Sequence, residues 1–329
     1  MAGFTLGKAN IPHGLVLAPM AGVTDRAFRI LAVRQGAELT VSEMISAKAV
    51  WYKDKKTAEL AAYSSEEEPI ALQIFGSEPE IMAHAARELC LRFPTLSAID
   101  INMGCPMPKI TGNGDGCSLM RSPELAGRIV RAVSEAISVP VTVKMRTGWD
   151  GDCLNAPRLA AVCEENGAKL ICVHGRTRQQ LYAPPVDRAT IRAVKQAVSV
   201  PVVANGGIYT ARDAAEMLED TGCDGVAIGQ GAMGNPWLFR AIREYLDGNT
   251  EYEPSLSERG ETALLHLRLL VEYKGEYIGT REARRQIAYY MRGIRGAAEM
   301  RDKLNHAESS EELAALTAAF FDTAARTGI

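Results

Sequence analysis

The residues best placed to do chemistry lie in Ile101-Asn102-Met103-Gly104-Cys105-Pro106. The apolar run 98–101 feeds an asparagine, a flexible glycine, a cysteine and then a proline that ends regular pairing, so the thiol falls on a loop at a strand end. Such a thiol has two readings, an inert packing group or a reagent, because buried free cysteine behaves as a small hydrophobe. Lys144 lies near the end of another apolar run, 140–145. A lysine there is costly unless it pairs with an electron-rich or anionic group, and the N1/O2 edge of a flavin would suit it. Two glycine-rich turns, Asn205-Gly206-Gly207-Ile208 and Gly229-Gln230-Gly231-Ala232, offer backbone N–H groups of the kind that cradle a phosphate.

These groups need elements to hold them. Short apolar, β-rich runs recur at 15–20, 39–44, 70–75, 98–103, 140–145, 170–174, 201–204 and 225–228. Helical signals fall between them: Ser77-Glu78-Pro79-Glu80 opens a helix through Arg92, and Ser122-Pro123-Glu124 opens another through Ile137. Strand and helix alternating eight times within about 240 residues predicts a (β/α)8 TIM barrel, an α/β fold, over an open doubly wound sheet. No G-x-G-x-x-G follows the first strand. In this barrel chemistry sits where strands end. Pro19-Met20-Ala21, Glu43, Gln73, Asn102 with Cys105, Lys144 with Arg146, His174 with Arg176, Asn205 to Gly207, and Gly229-Gln230 follow strands one to eight in turn. Each alone is a polar strand cap; eight on one rim form a site.

The alternation ceases after Leu238, and from Ser257 the pattern is helical, at 262–270, 281–292, 297–305 and 310–325. The expectation is a barrel over 1–246, a linker over 247–256 broken by Asp247-Gly248-Asn249 and Pro254, and a small C-terminal all-helical domain over 257–329. At 100° per residue, Arg281, Arg284, Arg285 and Arg292 share one face of one helix, within an arc of about 100°. A solvated basic face is the bland reading. Arginine forks also pair with phosphate oxygens in bidentate fashion, which suits a nucleic-acid backbone. Gly293 and Gly296 are expected to interrupt the helix, leaving Arg295 on a turn.

The bulk properties bound these readings. With 329 residues, 47% hydrophobic and 23% charged, the chain suits one large globular domain with room for a second. Seven cysteines form no C-x-x-C pair and no secretory leader precedes them, so neither a disulfide framework nor a zinc site is expected, and the reducing cytoplasm is the expected compartment. Apolar runs near the start fall short of the roughly 20 residues of a membrane helix, and no membrane partner is expected. The net charge of -3 gives no general basic field, but seven basic residues between Arg281 and Lys303 face three acidic ones, leaving the remainder of the chain at -7.

Taken together, the motifs resemble the tRNA-dihydrouridine synthases, most closely the bacterial B type, nearly end to end. Leu17-Ala18-Pro19-Met20-Ala21-Gly22-Val23-Thr24-Asp25 is similar to the family's opening motif, and Asp100-Ile101-Asn102-Met103-Gly104-Cys105-Pro106 to its central one. Val143-Lys144-Met145-Arg146-Thr147-Gly148-Trp149, Val173-His174-Gly175-Arg176-Thr177-Arg178 and Gly234-Asn235-Pro236-Trp237 complete the set. The resemblance implies a barrel that binds FMN, reduction of the flavin by NADPH, hydride transfer to C6 of a tRNA uracil, and protonation of C5 by a thiol, here Cys105. It implies that Pro19, Met20 and Ala21 pass the flavin ring, that Gln73 and Lys144 bond its edge, and that His174 sits beside it. Asn205, Gly206, Gly207, Gly229 and Gln230 would hold the phosphate. Asn102, Arg146 and Arg176 would meet the uracil, and the helical domain, through Arg281, Arg284, Arg285 and Arg292, would grip the tRNA. The expected protein is monomeric, with no metal.

Three single positions and one loop depart from the family pattern. Gly207 stands where an aspartate is usual and Gln230 where an arginine is usual, so flavin retention is expected to be weaker through loss of a charge-assisted bond. Tyr182-Ala183-Pro184-Pro185-Val186-Asp187 replaces a Tyr-Ser-Gly loop, and Gln286 stands where a histidine is common. The rival readings are an FMN barrel reducing a small pyrimidine or enone, which has no use for a basic helical domain, and a tRNA-binding descendant without enzyme activity.

Overall fold

Strands buried on both faces build the architecture of the computed structural model, which describes residues 3–327. β1 (Phe4–Leu6) and β2 (Ala9–Ile11) form an antiparallel hairpin. β3 (Leu15–Leu17), β4 (Leu39–Val41), the short β5 (Ile45–Ser46), β6 (Ile70–Phe75), β7 (Ala98–Met103), β8 (Val141–Arg146), β9 (Ala168–His174), β10 (Val202–Asn205) and β11 (Gly225–Ile228) form one parallel sheet. β11 pairs with β3, with Val226 opposite Leu15, and β4 pairs with β6, so eight strands close a barrel and β5 is a spur on β6.

The expected eight strands are all present. The first two stop sooner than their apolar runs; after β3, Pro19 cannot donate to a ladder and the chain turns at once into the 20–24 loop, whereas after β4 Ser42 N–H still bonds to Ala71 O. Proline opens the helices Pro79–Arg92 and Pro123–Ala136 at their first position, where its missing N–H costs nothing.

Along β7, Ile99, Ile101 and Met103 join the layer shared with the outer helices, while Ala98, Asp100 and Asn102 alternate to the barrel interior. The same alternation sends Gln73, Thr142, Lys144, Arg146, His174 and Asn205 inward. The lower interior is apolar and is stoppered by the hairpin: Phe4, Leu6 and Ile11 pack with Val16, Leu39, Ala98, Leu170 and Val203. The N-terminal end is therefore sealed, and the polar inward residues face the other end.

The last barrel helix ends at Leu246, irregular chain covers 247–255, and the helix Leu256–Tyr290 follows. Gly275, at φ +75°, breaks that run in two. Helices Ala297–His306 and Ser310–Thr327 complete the region, and Gly293 and Gly296 take positive φ in the turn between Tyr290 and Ala297, as the sequence predicts. Ala263, Leu267, Leu270, Ile287, Leu313 and Phe321 form its core. That core continues into the barrel through Ala27, Ile30 and Leu31 of the helix Arg26–Arg34 and through Trp237, so the helical region is fused to one side of the barrel. No helix among the described residues is long and apolar enough to cross a membrane.

Candidate active site

At the C-terminal ends of the strands lies a cavity of about 430 Å³, with Gln73, Asn102, Lys144, His174 and Asn205 on its inner walls. The loop after β3 brings Pro19, Met20 and Ala21, the loop after β7 brings Cys105, and Arg285 and Tyr289 reach it from the helical region.

The thiol loop is held from three sides. Asn102 Oδ1 accepts from the N–H of Gly104 at 3.1 Å and of Cys105 at 2.9 Å. Gly104 O accepts from Arg146 Nε at 2.9 Å, and Cys105 O accepts from Cys117 N–H at 3.1 Å. Gly116, at φ +58°, lets the following turn press against the loop, since a Cβ there would stand 3.0 Å from Cys105 O. Burial pushes the Cys105 thiol above its ordinary value, and the Met107 N–H, Arg146 and Lys144 only partly offset it. At neutral pH the group is a thiol, suited to giving a proton rather than attacking as thiolate.

Beneath it runs a fixed polar chain. Asn102 Nδ2 donates to Gln73 Oε1 at 2.7 Å, Gln73 Nε2 donates to Asp100 Oδ2 at 2.7 Å, and Thr142 Oγ1 donates to Asp100 Oδ1 at 2.5 Å. These bonds set both amide orientations and leave Gln73 one N–H for the cavity. Lys144 Nζ donates to Asn205 Oδ1 at 3.0 Å, while Asn205 Nδ2 donates to Ala227 O at 2.7 Å. Burial lowers the Lys144 pKa, and its other N–H groups are available to an electron-rich ring edge. His174 is driven down to about 2 by burial and by Lys144, Arg146 and Arg176. It is neutral, and because Arg176 Nη1 at 3.2 Å can only donate, His174 Nε2 accepts and its proton sits on Nδ1.

The two glycine turns meet across the rim. Gly206 (φ +113°) and Gly207 (φ +71°) need glycine, since a Cβ on Gly206 would stand 2.8 Å from the His174 ring. Gly231 allows the turns to touch: a Cβ there would stand 2.1 Å from Ile208 O. Among the described residues the N–H groups of Gly206, Gly207, Gly229 and Gln230 have no protein acceptor. Gln230 Oε1 accepts from Tyr209 OH at 3.1 Å. Free backbone donors on the rim and the Lys144 and Gln73 donors below fit the phosphate and ring edge of a flavin mononucleotide.

Of the residues expected to meet the substrate, Asn102, Arg146, Arg176 and Arg285 line the cavity. The structure turns Asn102 toward the thiol loop, and uses Arg146 to tie Gly104 O to Thr177 O and Leu181 O. Arg176 Nε donates to Ala183 O at 2.8 Å, bracing the unusual 182–187 loop. The single arginine stripe is corrected. The helix ends at Tyr290, so Arg292 lies beyond it and stacks on Tyr289 at 4.3 Å. Arg284 turns inward to donate to Ala307 O at 2.9 Å, and Arg281 stacks on Tyr277 at 3.7 Å. Only Arg285 of the four reaches the cavity. Gln286 faces Asp25, 3.3 Å away, rather than the site.

Two contributors, Tyr209 and Tyr289, escaped the sequence reading, and a third, Tyr182, entered it only as part of the departing 182–187 loop. Tyr182 stands exposed at the rim with its ring centroid 6.3 Å from that of His174, and Tyr209 and Tyr289 line the opening. Tyr209 and Tyr289 have no local signal, since aromatic residues on loops and helices are common. Glu43 was visible as the polar end of the second strand, but its bond to Gly22 N–H, at 2.5 Å, depends on the fold.

The family described as "Dihydrouridine synthase (Dus)" matches residues 16–325. The chain belongs to that family. It is 41% identical over 318 residues to "tRNA-dihydrouridine synthase B" of Xanthomonas axonopodis pv. citri, covering 96% of this chain and 95% of the relative. The protein of the same name from Pseudomonas aeruginosa is 40% identical over 325 residues, covering 98% and 96%. The family relationship is thus of the bacterial B type. Among solved structures, histamine dehydrogenase from Rhizobium sp. 4-9 superposes with a TM-score of 0.57 at 12% identity, over 81% of this chain and 50% of the other. Morphinone reductase does so with a TM-score of 0.51 at 16% identity, over 78% and 91%. At those identities the likeness is one of fold.

Proposed function

We propose that this protein reduces uridine in tRNA to 5,6-dihydrouridine in an FMN-dependent reaction, with NADPH as the reductant. One observation carries the chemistry: a neutral thiol, Cys105, is fixed by Asn102 at the mouth of a cavity whose floor presents the Gln73 and Lys144 donors. FMN, when bound, would supply a hydride for C6 of the uracil. The protein's own groups do the rest. Gln73, Lys144 and neutral His174 would orient the ring, the 206–207 and 229–230 turns would take the phosphate, and Cys105 would give its proton to C5. The target base must leave its stack to enter, at a cost of a few kcal/mol that is smallest for loop nucleotides. Arg285 and Tyr289, reaching over the opening from the helical region, support a large substrate over a free pyrimidine. Seven free cysteines suit work in a reducing cytoplasm, and the reading takes the protein to act as a monomer.

Purified protein should be yellow and, given NADPH, should form dihydrouridine in tRNA from cells unable to make it. A flavin-loaded protein that leaves such tRNA unchanged, yet reduces free uracil or an enone, overturns the proposal.

A further inference from the structure

The turn that carries Pro19, Met20 and Ala21 into the cavity is gripped at its next residue from two directions. Gly22 N–H donates to Glu43 Oε1 at 2.5 Å, and Gly22 O accepts from Arg285 Nη2 at 2.7 Å. Glu43 follows β4 of the barrel; Arg285 belongs to the helical region. Gly22 lies at φ +71°, and a Cβ there would stand 3.2 Å from Arg285 Nη2, so glycine gives the guanidinium access to the carbonyl. The turn is otherwise stitched to itself: Met20 N–H donates to Thr24 Oγ1 at 2.7 Å, and the Val23 and Thr24 N–H groups donate to Met20 O at 3.0 Å. Such a turn shifts as a unit, and the two side chains on Gly22 set where it stands.

The two partners differ in what else they can touch. Arg285 is exposed at the cavity mouth; its bond to Gly22 uses one of five N–H donors and leaves the others for a phosphate. Glu43 is half-buried behind the turn and does not line the cavity. We propose that Glu43 and Arg285 are positioning residues that clamp Gly22, so that an RNA phosphate held by Arg285 is tied to the flavin-facing turn, with Glu43 as its anchor in the barrel. This rests on the tRNA reading above.

The test uses flavin-loaded protein, reduced with NADPH and mixed with tRNA lacking dihydrouridine, following flavin reoxidation in a single turnover and tRNA affinity by filter binding. Glu43→Ala is expected to slow reoxidation roughly tenfold to a hundredfold, as misplacement near a reacting centre does, while tRNA affinity stays within about twofold. Glu43→Gln keeps an oxygen for Gly22 N–H and restores most of the rate. Arg285→Met lowers both rate and affinity, and the double variant is no slower than the slower single, because both changes open one clamp. A Glu43→Ala protein reoxidising at the wild-type rate, or losses that multiply in the double variant, overturns the clamp. Should Glu43→Ala lose its flavin, Gly22→Ala carries the test: slowed reoxidation supports the clamp and a wild-type rate overturns it. Wild-type protein that makes no dihydrouridine overturns the tRNA reading and the clamp with it.

Discussion

The side-chain oxygen of Asn102 lies 2.9 Å from the backbone nitrogen of Cys105 and accepts its hydrogen bond, while the same side chain's nitrogen donates to Gln73 at 2.7 Å. One residue thus couples the thiol loop to the cavity floor. Asn102→Ala should remove that coupling and leave Cys105 in place, lowering the turnover rate roughly tenfold to a hundredfold with flavin content retained. Asn102→Asp keeps the acceptor for the loop, loses the donor to Gln73 and should fall between. Turnover per bound flavin measures both.

Cys105→Ala should keep flavin and tRNA affinity and lose about a hundredfold or more in rate, the usual share of a general acid. Because burial raises the thiol pKa, the active protonated form persists through neutral pH. The acid-dependent step should therefore be level across neutrality and decline only on the alkaline side of the ordinary thiol range. A single-turnover pH profile showing loss between pH 6 and roughly 8 would contradict this.

Gln230 reaches the phosphate turns without a charge and is oriented by Tyr209. Gln230→Arg should tighten FMN roughly threefold to tenfold and make the affinity more salt-sensitive, since charge-assisted bonds are the stronger ones. Riboflavin, lacking the phosphate, should gain nothing. Gly206→Ala should release flavin, because the new methyl meets the His174 ring and φ +113° is strained. Flavin fluorescence titration of each variant reads these changes.

Lys274 Nζ lies 2.6 Å from Asp25 Oδ2 and also pairs with Glu282, tying the helical region to the barrel's first helix. Burial alone would raise Asp25, but Lys274, with help from His266 and the Phe28 N–H, brings it below its ordinary value of 3.8. Burial would lower Lys274, and Asp25 and Glu282 raise it above its ordinary value of 10.5 instead. The pair's stability is thus fully present between those ordinary values. It is lost as pH falls through the depressed carboxyl pKa, or rises through the elevated lysine pKa. Lys274→Met should cost about 2 to 4 kcal/mol at neutral pH by leaving a buried carboxylate unpaired. Urea unfolding at neutral pH measures the loss, which should shrink as the pH falls below the range where Asp25 ionises.

The barrel was legible because β6 to β9 alternate inward and outward over six or seven residues, so Gln73, Asn102, Lys144 and His174 fall on one side from spacing alone. The β1–β2 hairpin was not legible. Its strands hold three residues each, and their burial depends on the barrel floor they cover. The arginine stripe misled because helical geometry fixes direction only while the helix lasts. Arg292 falls past its end, and Arg284 is turned by a carbonyl at Ala307 that is near only in the fold. The Lys274 to Asp25 and Arg285 to Gly22 bonds join residues some 250 positions apart, a relationship no local pattern records.

The closing seam between β11 and β3, with Gly3 N–H bonded to Asp224 O beside it, has a consequence for synthesis. The first strand emerges from the ribosome long before its final neighbour exists. Until Gly225 to Ile228 arrive, β3 and β10 present unpaired edges, and the stopper formed by Phe4, Leu6 and Ile11 has no complete floor to seal. The smallest piece able to close the barrel therefore extends at least through Ile228, and in any shorter nascent chain both edges stay open.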